Sequence, residues 1–166
     1  MDLYVIRHGR AIDRAEPIED AFRALTARGR REAEEVGRAL RDAGVELDAI
    51  VTSPLVRAVE TAELVAVGLK FVGALDVAVE LAPGRHPQPL VEEVLLPRAN
   101  LAAVALVGHE PQLSALVATL LRTAVPSLAK GVAVRLQWDG PDAAAKFKWV
   151  IRPGHLKPTK AIDDLG

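Results

Sequence analysis

Three short segments carry side chains whose types suit the binding and transfer of an anionic group. Arg7-His8-Gly9 follows the apolar run Leu3-Tyr4-Val5-Ile6, which is typical of a buried β-strand. A second histidine follows another apolar run at Gly108-His109, and Arg57 stands in the segment Ser53-Pro54-Leu55-Val56-Arg57. Arginine binds oxyanions with forked, charge-assisted hydrogen bonds, and a neutral imidazole can act as a nucleophile. The ligand that suits this set is a phosphoryl group.

The fold must bring these segments together, and the pattern of apolar residues indicates how. Strands are predicted over residues 3–6, 49–52, 77–81 and 101–107, and helices over 27–43, 54–68, 88–96 and 110–122. Thr26 and Ser53 are predicted N-caps, the second with Pro54 at the first helical position. Alternating strands and helices favour a parallel sheet covered on both faces. In such sheets ligands bind at the carboxyl ends of the strands, where all three segments lie.

The last third of the chain has a different character. Residues 132–138 and 146–151 are separated by a turn-rich stretch and are predicted to form an antiparallel pair. Residues 153–166 contain two prolines and several charges, and we expect a loose tail there. The fold class predicted is α/β: a three-layer α/β/α sandwich with a mostly parallel central sheet and an antiparallel C-terminal pair. We expect residues 1–152 to form a single domain.

Composition excludes several classes of protein. The chain has 166 residues, half of them hydrophobic, which fits one domain with a real core and excludes general disorder. A formal net charge of -1 provides no basic field for nucleic acid, and the absence of cysteine excludes disulfides and cysteine chemistry. No apolar stretch approaches the roughly 18 residues of a membrane span, and Met1 lies too close to the first strand for a signal peptide. We expect a cytoplasmic protein that binds neither membrane nor nucleic acid.

Four segments resemble the histidine phosphatase superfamily, in the branch that contains phosphoglycerate mutases and small phosphatases. In chain order they are residues 3–9 with the RHG signature, Leu25-Thr26-Ala27-Arg28-Gly29, the SPLVRAVETA segment at 53–62, and Val107-Gly108-His109-Glu110-Pro111. Together they match from residue 3 to about residue 111 in the order and spacing of the family. The resemblance implies a phosphoglycerate mutase-like fold and phosphatase chemistry.

The resemblance also implies a role for each matching residue. His8 would be the nucleophile that carries the phosphoryl group as phosphohistidine, and Arg7, Arg57 and His109 would bind the phosphate oxygens and stabilise their charge during transfer. Gly9 would let the backbone turn close to the phosphate. We expect no metal ion and no cofactor, because the arginines take the place of a cation.

Other positions have less certain counterparts in the family pattern. Many relatives use a glutamate after the third strand as the general acid, and Glu80 is the nearest candidate; the alternative is an exposed strand residue. His86 is a weaker candidate for the same role. Arg10 stands where relatives often have an acidic residue or asparagine, and it would make the rim of the pocket more basic unless it faces solvent. Glu110 stands where relatives often have asparagine, and we expect it only to cap the following helix.

The length of the chain favours one class of substrate. Residues 62–101 leave little room for the lid that mutases of the superfamily build over a small sugar phosphate. An open site suits a phosphorylated protein, and the compact chain resembles SixA-type phosphohistidine phosphatases, which act on the phosphotransfer domain of a signalling protein. The alternatives are a small-molecule phosphomonoesterase of the same superfamily and a non-catalytic phosphate-binding regulatory module. The presence of Arg7, His8, Arg57 and His109 together argues against the last of these.

Overall fold

The structure is a computed structural model that describes residues 1–166, and its framework is one mixed sheet of seven strands. The strands are β1 (Asp2–Arg7), β2 (Ala49–Thr52), β3 (Leu75–Val77), β4 (Ala103–Gly108), β5 (Ala133–Gln137), β6 (Lys146–Arg152) and β7 (His155–Thr159). Their order in the sheet is β3-β2-β4-β1-β5-β6-β7. The first four in this order run parallel, and β5, β6 and β7 each run antiparallel to their neighbours.

Helices cover both faces of the sheet. They are α1 (Ala27–Asp42), α2 (Val56–Leu69), α3 (residues 87–98, an irregular segment of α, π and 3-10 turns) and α4 (Gln112–Leu121). Leu3 and Val5 of β1 pack into a core with α3 and α4, whereas Tyr4 and Ile6 pack into a second core with α1 and α2. This alternation confirms the three-layer prediction. None of the helices combines the length and the hydropathy that a membrane span requires.

The register of the parallel strands brings their carboxyl ends level. Arg7 of β1 lies opposite Gly108 of β4, and Thr52 of β2 lies opposite Val107 of the same strand. The residues that follow these strands therefore leave the sheet at one edge. His8 confirms this alignment, because its backbone N–H donates to the carbonyl oxygen of Gly108 over 3.1 Å.

The two predicted helix starts differ in outcome. Thr26 caps α1 as predicted, since its hydroxyl oxygen accepts a hydrogen bond from the backbone N–H of Gly29 at 3.0 Å. The prediction that Ser53 caps α2 is wrong: α2 begins at Val56, and the Ser53 hydroxyl oxygen accepts from the backbone N–H of Leu55 at 3.3 Å. Ser53 thus closes a turn between β2 and α2, which leaves its hydroxyl proton free for another partner.

The third strand also lies elsewhere than predicted. The sequence predicts a strand over residues 77–81, but β3 ends at Val77, and Val79–Leu81 form a 3-10 helix. Pairing of β3 with β2 stops there because its partner residue in β2, Thr52, is the last of that strand. Of the alternating apolar residues that predict a strand here, only Leu81 is buried, whereas Val77 and Val79 are exposed.

The prediction of a loose tail over residues 153–166 is wrong. β7 pairs antiparallel with β6 at the edge of the sheet, and Ile162–Leu165 form a 3-10 helix that buries Leu165 in the core. Pro158 is compatible with β7 because an edge strand has one side without a hydrogen-bonding neighbour. The prolines and charges of this segment therefore reflect its place at the edge of the sheet.

Candidate active site

Arg7, His8, Arg57 and His109, which the sequence predicts to converge, line one cavity at the carboxyl edge of the parallel strands. The cavity has a volume of about 330 Å³, and its lining residues are Arg7, His8, Ala11, Ile12, Asp13, Arg14, Arg23, Arg57, Pro83, His109, Glu110 and Lys130. Four arginines and a lysine face only two carboxylate residues there. This excess of positive charge favours a multiply charged anion. The structure contains no group of three or more histidine, aspartate or glutamate residues that could hold a metal ion.

His8 is buried at the end of β1 and has one ring nitrogen fixed by the backbone. Its Nδ1 lies 2.7 Å from the carbonyl oxygen of Gly9. Because a carbonyl only accepts hydrogen bonds, Nδ1 carries the proton and Nε2 keeps its lone pair. Burial lowers the pKa of His8 from 6.5 to about 4, with a further contribution from the positive charges of Arg57 and Arg7. His8 is therefore neutral near pH 7, as a nucleophile must be.

His109 lies beside His8, with their ring centroids 4.9 Å apart. Its Nε2 is 2.8 Å from the hydroxyl oxygen of Ser53, and that oxygen already accepts from a backbone N–H. The hydroxyl proton of Ser53 can therefore be donated to Nε2, which leaves Nδ1 of His109 as a buried N–H without a partner in the protein. Burial, with smaller effects from His8 and Arg57, lowers the pKa of His109 to about 3. His109 is thus a neutral hydrogen-bond donor.

The two predicted phosphate-binding arginines, Arg7 and Arg57, form similar hydrogen bonds within the protein. Nη1 of Arg7 donates to the carbonyl oxygen of Leu128 at 2.5 Å, and Nη1 and Nη2 of Arg57 donate to Asp20. In both arginines Nε is buried and has no partner in the protein. Buried polar groups are nearly always hydrogen-bonded, so these N–H groups suit a ligand rich in acceptor oxygens. Burial lowers the pKa of both guanidinium groups, opposed by Glu110 at Arg7 and by Asp20 at Arg57.

Two residues predicted to contact phosphate are placed elsewhere. The backbone N–H of Gly9 donates to Thr61 Oγ1 at 3.0 Å, and Gly9 does not line the cavity. The guanidinium of Arg10 pairs with Glu32, with Nε 3.2 Å from Oε2, and is likewise absent from the cavity wall. The sequence could not reveal either outcome, because the partners lie on helices α2 and α1 and are distant along the chain.

The predicted general acids do not line the cavity either. Glu80 lies on the 3-10 turn after β3, where its carbonyl oxygen accepts from Gln112 Nε2 at 2.6 Å. His86 caps the start of α3, and its Nδ1 accepts from the backbone N–H of Gln88 at 3.3 Å. Glu110 caps α4 as expected, with Oε1 accepting from the backbone N–H of Ser114 at 3.1 Å, and it also lines the cavity.

Three further residues belong to the surroundings of the site, and the sequence motifs do not include them. Arg23 is buried in the cavity wall, Lys130 lies in the segment before β5, and Asp20 binds Arg57 from outside the cavity. Arg23 and Lys130 stand in irregular connections, and Asp20 begins a short 3-10 helix, Asp20–Phe22. In such short segments no periodic pattern marks a residue as turned inward. The burial of Arg23 in particular could not be predicted, because it stands in a polar stretch of the sequence.

Comparison with known proteins identifies the family. The sequence model of the Histidine phosphatase superfamily (branch 1) matches residues 3–82. The chain is 30% identical to Phosphohistidine phosphatase SixA of Escherichia coli (strain K12) over 170 aligned residues, which cover 98% of this chain and 100% of that protein. This match extends through the C-terminal strands, where the sequence carries no motif.

Solved structures agree with this match. The protein histidine phosphatase SixA complexed with tungstate superposes with a TM-score of 0.85 at 26% identity, covering 95% of this chain and 100% of that one. A putative phosphohistidine phosphatase SixA from Nakamurella multipartitia superposes with a TM-score of 0.76 at 25% identity, covering 92% and 95%. The strand-end arginines and histidines thus lie in a phosphoglycerate mutase-like fold, and the chain is a phosphatase that belongs to branch 1 of the histidine phosphatase superfamily.

Proposed function

We propose that this phosphatase removes phosphate from phosphohistidine on a signalling protein, and that His8 carries the phosphoryl group between the two half-reactions. The observation that carries the proposal is the geometry of His8. Its Nδ1–H is held by the Gly9 carbonyl, and its unprotonated Nε2 belongs to a ring that lines a cavity rich in arginine. A ring fixed in this way needs no reorientation before it attacks phosphorus.

Access to the cavity supports a protein substrate. Of residues 70–102, which connect α2 to β4, only Pro83 lines the cavity. The helix of this connection, α3, packs into the core on one face of the sheet. A phosphorylated side chain that projects from a folded domain would therefore meet no lid built by this connection on its way to His8.

In the first half-reaction, Nε2 of His8 attacks phosphorus and the bond from phosphorus to the substrate nitrogen breaks. The bonding electrons return to the substrate imidazole, whose other nitrogen has taken a proton from solvent, so that it leaves as a neutral ring. Arg7, Arg57 and His109 donate hydrogen bonds to the phosphoryl oxygens and stabilise their charge. An imidazole leaves more readily than an alkoxide, so the placement of Glu80 and His86 outside the cavity is compatible with this substrate.

In the second half-reaction, water attacks the phosphorus on His8. The bond from phosphorus to Nε2 breaks, and inorganic phosphate leaves. The low pKa of His8 helps this step, because a weakly basic imidazole is a good leaving group. Splitting the hydrolysis in two replaces one difficult displacement with two easier ones.

A substrate panel tests this proposal. A phosphohistidine-bearing phosphotransfer domain and a set of alkyl and sugar phosphates are compared by kcat/KM. His8→Ala is the inactive variant, and His155→Ala on β7 is the matched histidine control. We expect the phosphotransfer domain to be turned over faster by at least about tenfold, a difference of about 1.4 kcal/mol in activation free energy. Preference for a small phosphate would support the phosphomonoesterase alternative, and binding without turnover of any substrate would support a regulatory module.

A further inference from the structure

Asp20 lies outside the cavity but contacts three of the arginines that line it. Nη1 of Arg57 donates to its carbonyl oxygen at 2.7 Å, and Nη2 donates to its Oδ2 at 3.1 Å. Its other carboxylate oxygen accepts from Nε and Nη2 of Arg23, at 2.9 and 2.8 Å, and lies 3.6 Å from Nε of Arg14. One residue thus joins α2 to the connection between β1 and α1.

We propose that Asp20 is a positioning residue for phosphate binding, which holds Arg57 by its outer edge and so directs the rest of that guanidinium toward the substrate. This inference rests on the proposed function of the cavity. Arg57 is 1% exposed, and a buried guanidinium without a counter-charge is costly. Asp20 supplies the counter-charge from the side that does not line the cavity, where it does not compete with a phosphoryl group.

The same contacts shape the wall of the cavity. Arg23, which Asp20 holds by two nitrogens, donates with Nη1 to the carbonyl oxygen of Ile12 at 2.5 Å. Ile12 lines the cavity and lies in an irregular part of that connection. Asp20 therefore links the position of this wall to that of Arg57.

The ionisation of Asp20 agrees with this role. Its partial burial opposes ionisation, but hydrogen bonds from Arg23 and Arg57, together with their positive charges, outweigh that effect and lower the pKa of Asp20. The carboxylate thus stays ionised as pH falls to values at which an ordinary aspartate takes up a proton.

The sign of one measurement separates positioning from a general effect of charge. Removal of any negative charge near an anion site strengthens anion binding by simple electrostatics. Loss of a positioning carboxylate has the opposite effect. We therefore compare Asp20→Asn with Glu19→Gln, which removes a charge from the neighbouring residue. The Glu19 side chain is exposed and forms no hydrogen bond that caps the 3-10 helix Asp20–Phe22.

The experiment measures tungstate affinity by calorimetry together with kcat and KM for an aryl phosphate. We expect Asp20→Asn to weaken tungstate binding and to lower kcat/KM by about ten- to hundredfold. Asp20→Glu should recover part of both, because it restores the carboxylate. Glu19→Gln should bind tungstate at least as tightly as the unmodified protein.

Thermal unfolding monitored by circular dichroism establishes that each variant is folded, and Asp20→Ser replaces Asp20→Asn if the latter does not fold. Unchanged or tighter tungstate binding by the folded neutral variant would overturn the positioning role. If the unmodified protein neither binds tungstate nor hydrolyses the aryl phosphate, the proposed function fails, and this inference fails with it.

Discussion

At the scale of single residues, the site consists of buried polar groups that the protein satisfies only in part. Arg7 and Arg57 are each held by Nη groups and keep a buried Nε–H, and His109 keeps a buried Nδ1–H. A phosphoryl group offers acceptor oxygens for donors of this kind. These donors lose their hydrogen bonds to water when the protein folds, so a bound phosphoryl group would supply the partners they lack.

The contrast between two arginines tests this view of the site. Arg57→Ala should lower kcat/KM for an aryl phosphate on the order of a hundredfold, as the loss of a donor to a transition-state oxyanion does elsewhere. Arg10→Ala should change it by no more than about threefold, because the half-exposed Arg10 side chain pairs with Glu32 outside the cavity. A large effect of Arg10→Ala on this small substrate would show that the rim position predicted from the sequence is the correct one.

The ionisation of the two histidines gives a second prediction. Burial keeps His8 and His109 neutral, so their ring proton signals in nuclear magnetic resonance spectra should not titrate between pH 5 and 8 in the free protein. Tungstate should raise both pKa values, because a dianion favours the imidazolium form. A midpoint near pH 6.5 in the free protein would contradict the burial seen at both rings.

The same pKa values link the site to stability. In the unfolded chain each histidine takes up a proton near pH 6.5, whereas the folded protein takes it up near pH 4 or 3. The unfolded state therefore binds more protons in this interval, so the free energy of unfolding decreases as the pH decreases. Ionisation of these histidines costs no stability above pH 6.5, and it lowers the free energy of unfolding progressively as the pH falls from 6.5 to about 3.

At the scale of elements, the C-terminal 3-10 helix helps to fix residues 128–131, which contact the end of β1. The backbone N–H of Ala129 donates to the carbonyl oxygen of Leu165 at 2.6 Å, and the flanking Leu128 carbonyl accepts from Arg7. The backbone N–H of Gly131 donates to the carbonyl oxygens of Arg7 and His8, both at 3.2 Å. Residues 128–131 are thus fixed between the C-terminal 3-10 helix and the end of β1.

Truncation of one buried leucine tests this support. Leu165→Ala should lower the free energy of unfolding by about 2 to 4 kcal/mol, measured by urea denaturation, because Leu165 is fully buried. Leu156→Ala on β7 is the control, since that side chain is 37% exposed, and it should cost about 0.5 kcal/mol or less. Equal effects of the two substitutions would mean that residues 162–165 do not pack as described.

At the scale of the whole molecule, the parallel part of the fold is predictable because its signals are local. The apolar runs of β1, β2 and β4 are continuous, and parallel strands of this kind place the residues that follow them at one edge. Arg7, His8 and His109 could therefore be placed from the sequence. The predictions that failed concern β3 and residues 153–166. Both are edge segments with few buried residues, where the pairing partner determines the structure.

The part of the site that the sequence does not reveal depends on contacts between distant segments. Arg57 is held by Asp20, 37 residues away along the chain, and Arg7 by Leu128, 121 residues away. Lys130 lines the cavity next to Gly131, whose backbone N–H donates to the end of β1. Motifs predict which residues contact phosphate, whereas the residues that orient them follow from the packed chain.

We propose that His8 carries the phosphoryl group through Nε2, and isolation of the phosphoenzyme tests this claim. The protein is mixed briefly with a ³²P-labelled phosphotransfer domain in buffer with EDTA, quenched in alkali and digested, and the label is located by mass spectrometry and ³¹P spectroscopy. We predict phosphate on Nε2 of His8, formed without added metal and absent from His8→Ala. Label on another residue or on Nδ1 of His8, or turnover by the His8→Ala variant, would contradict the claim.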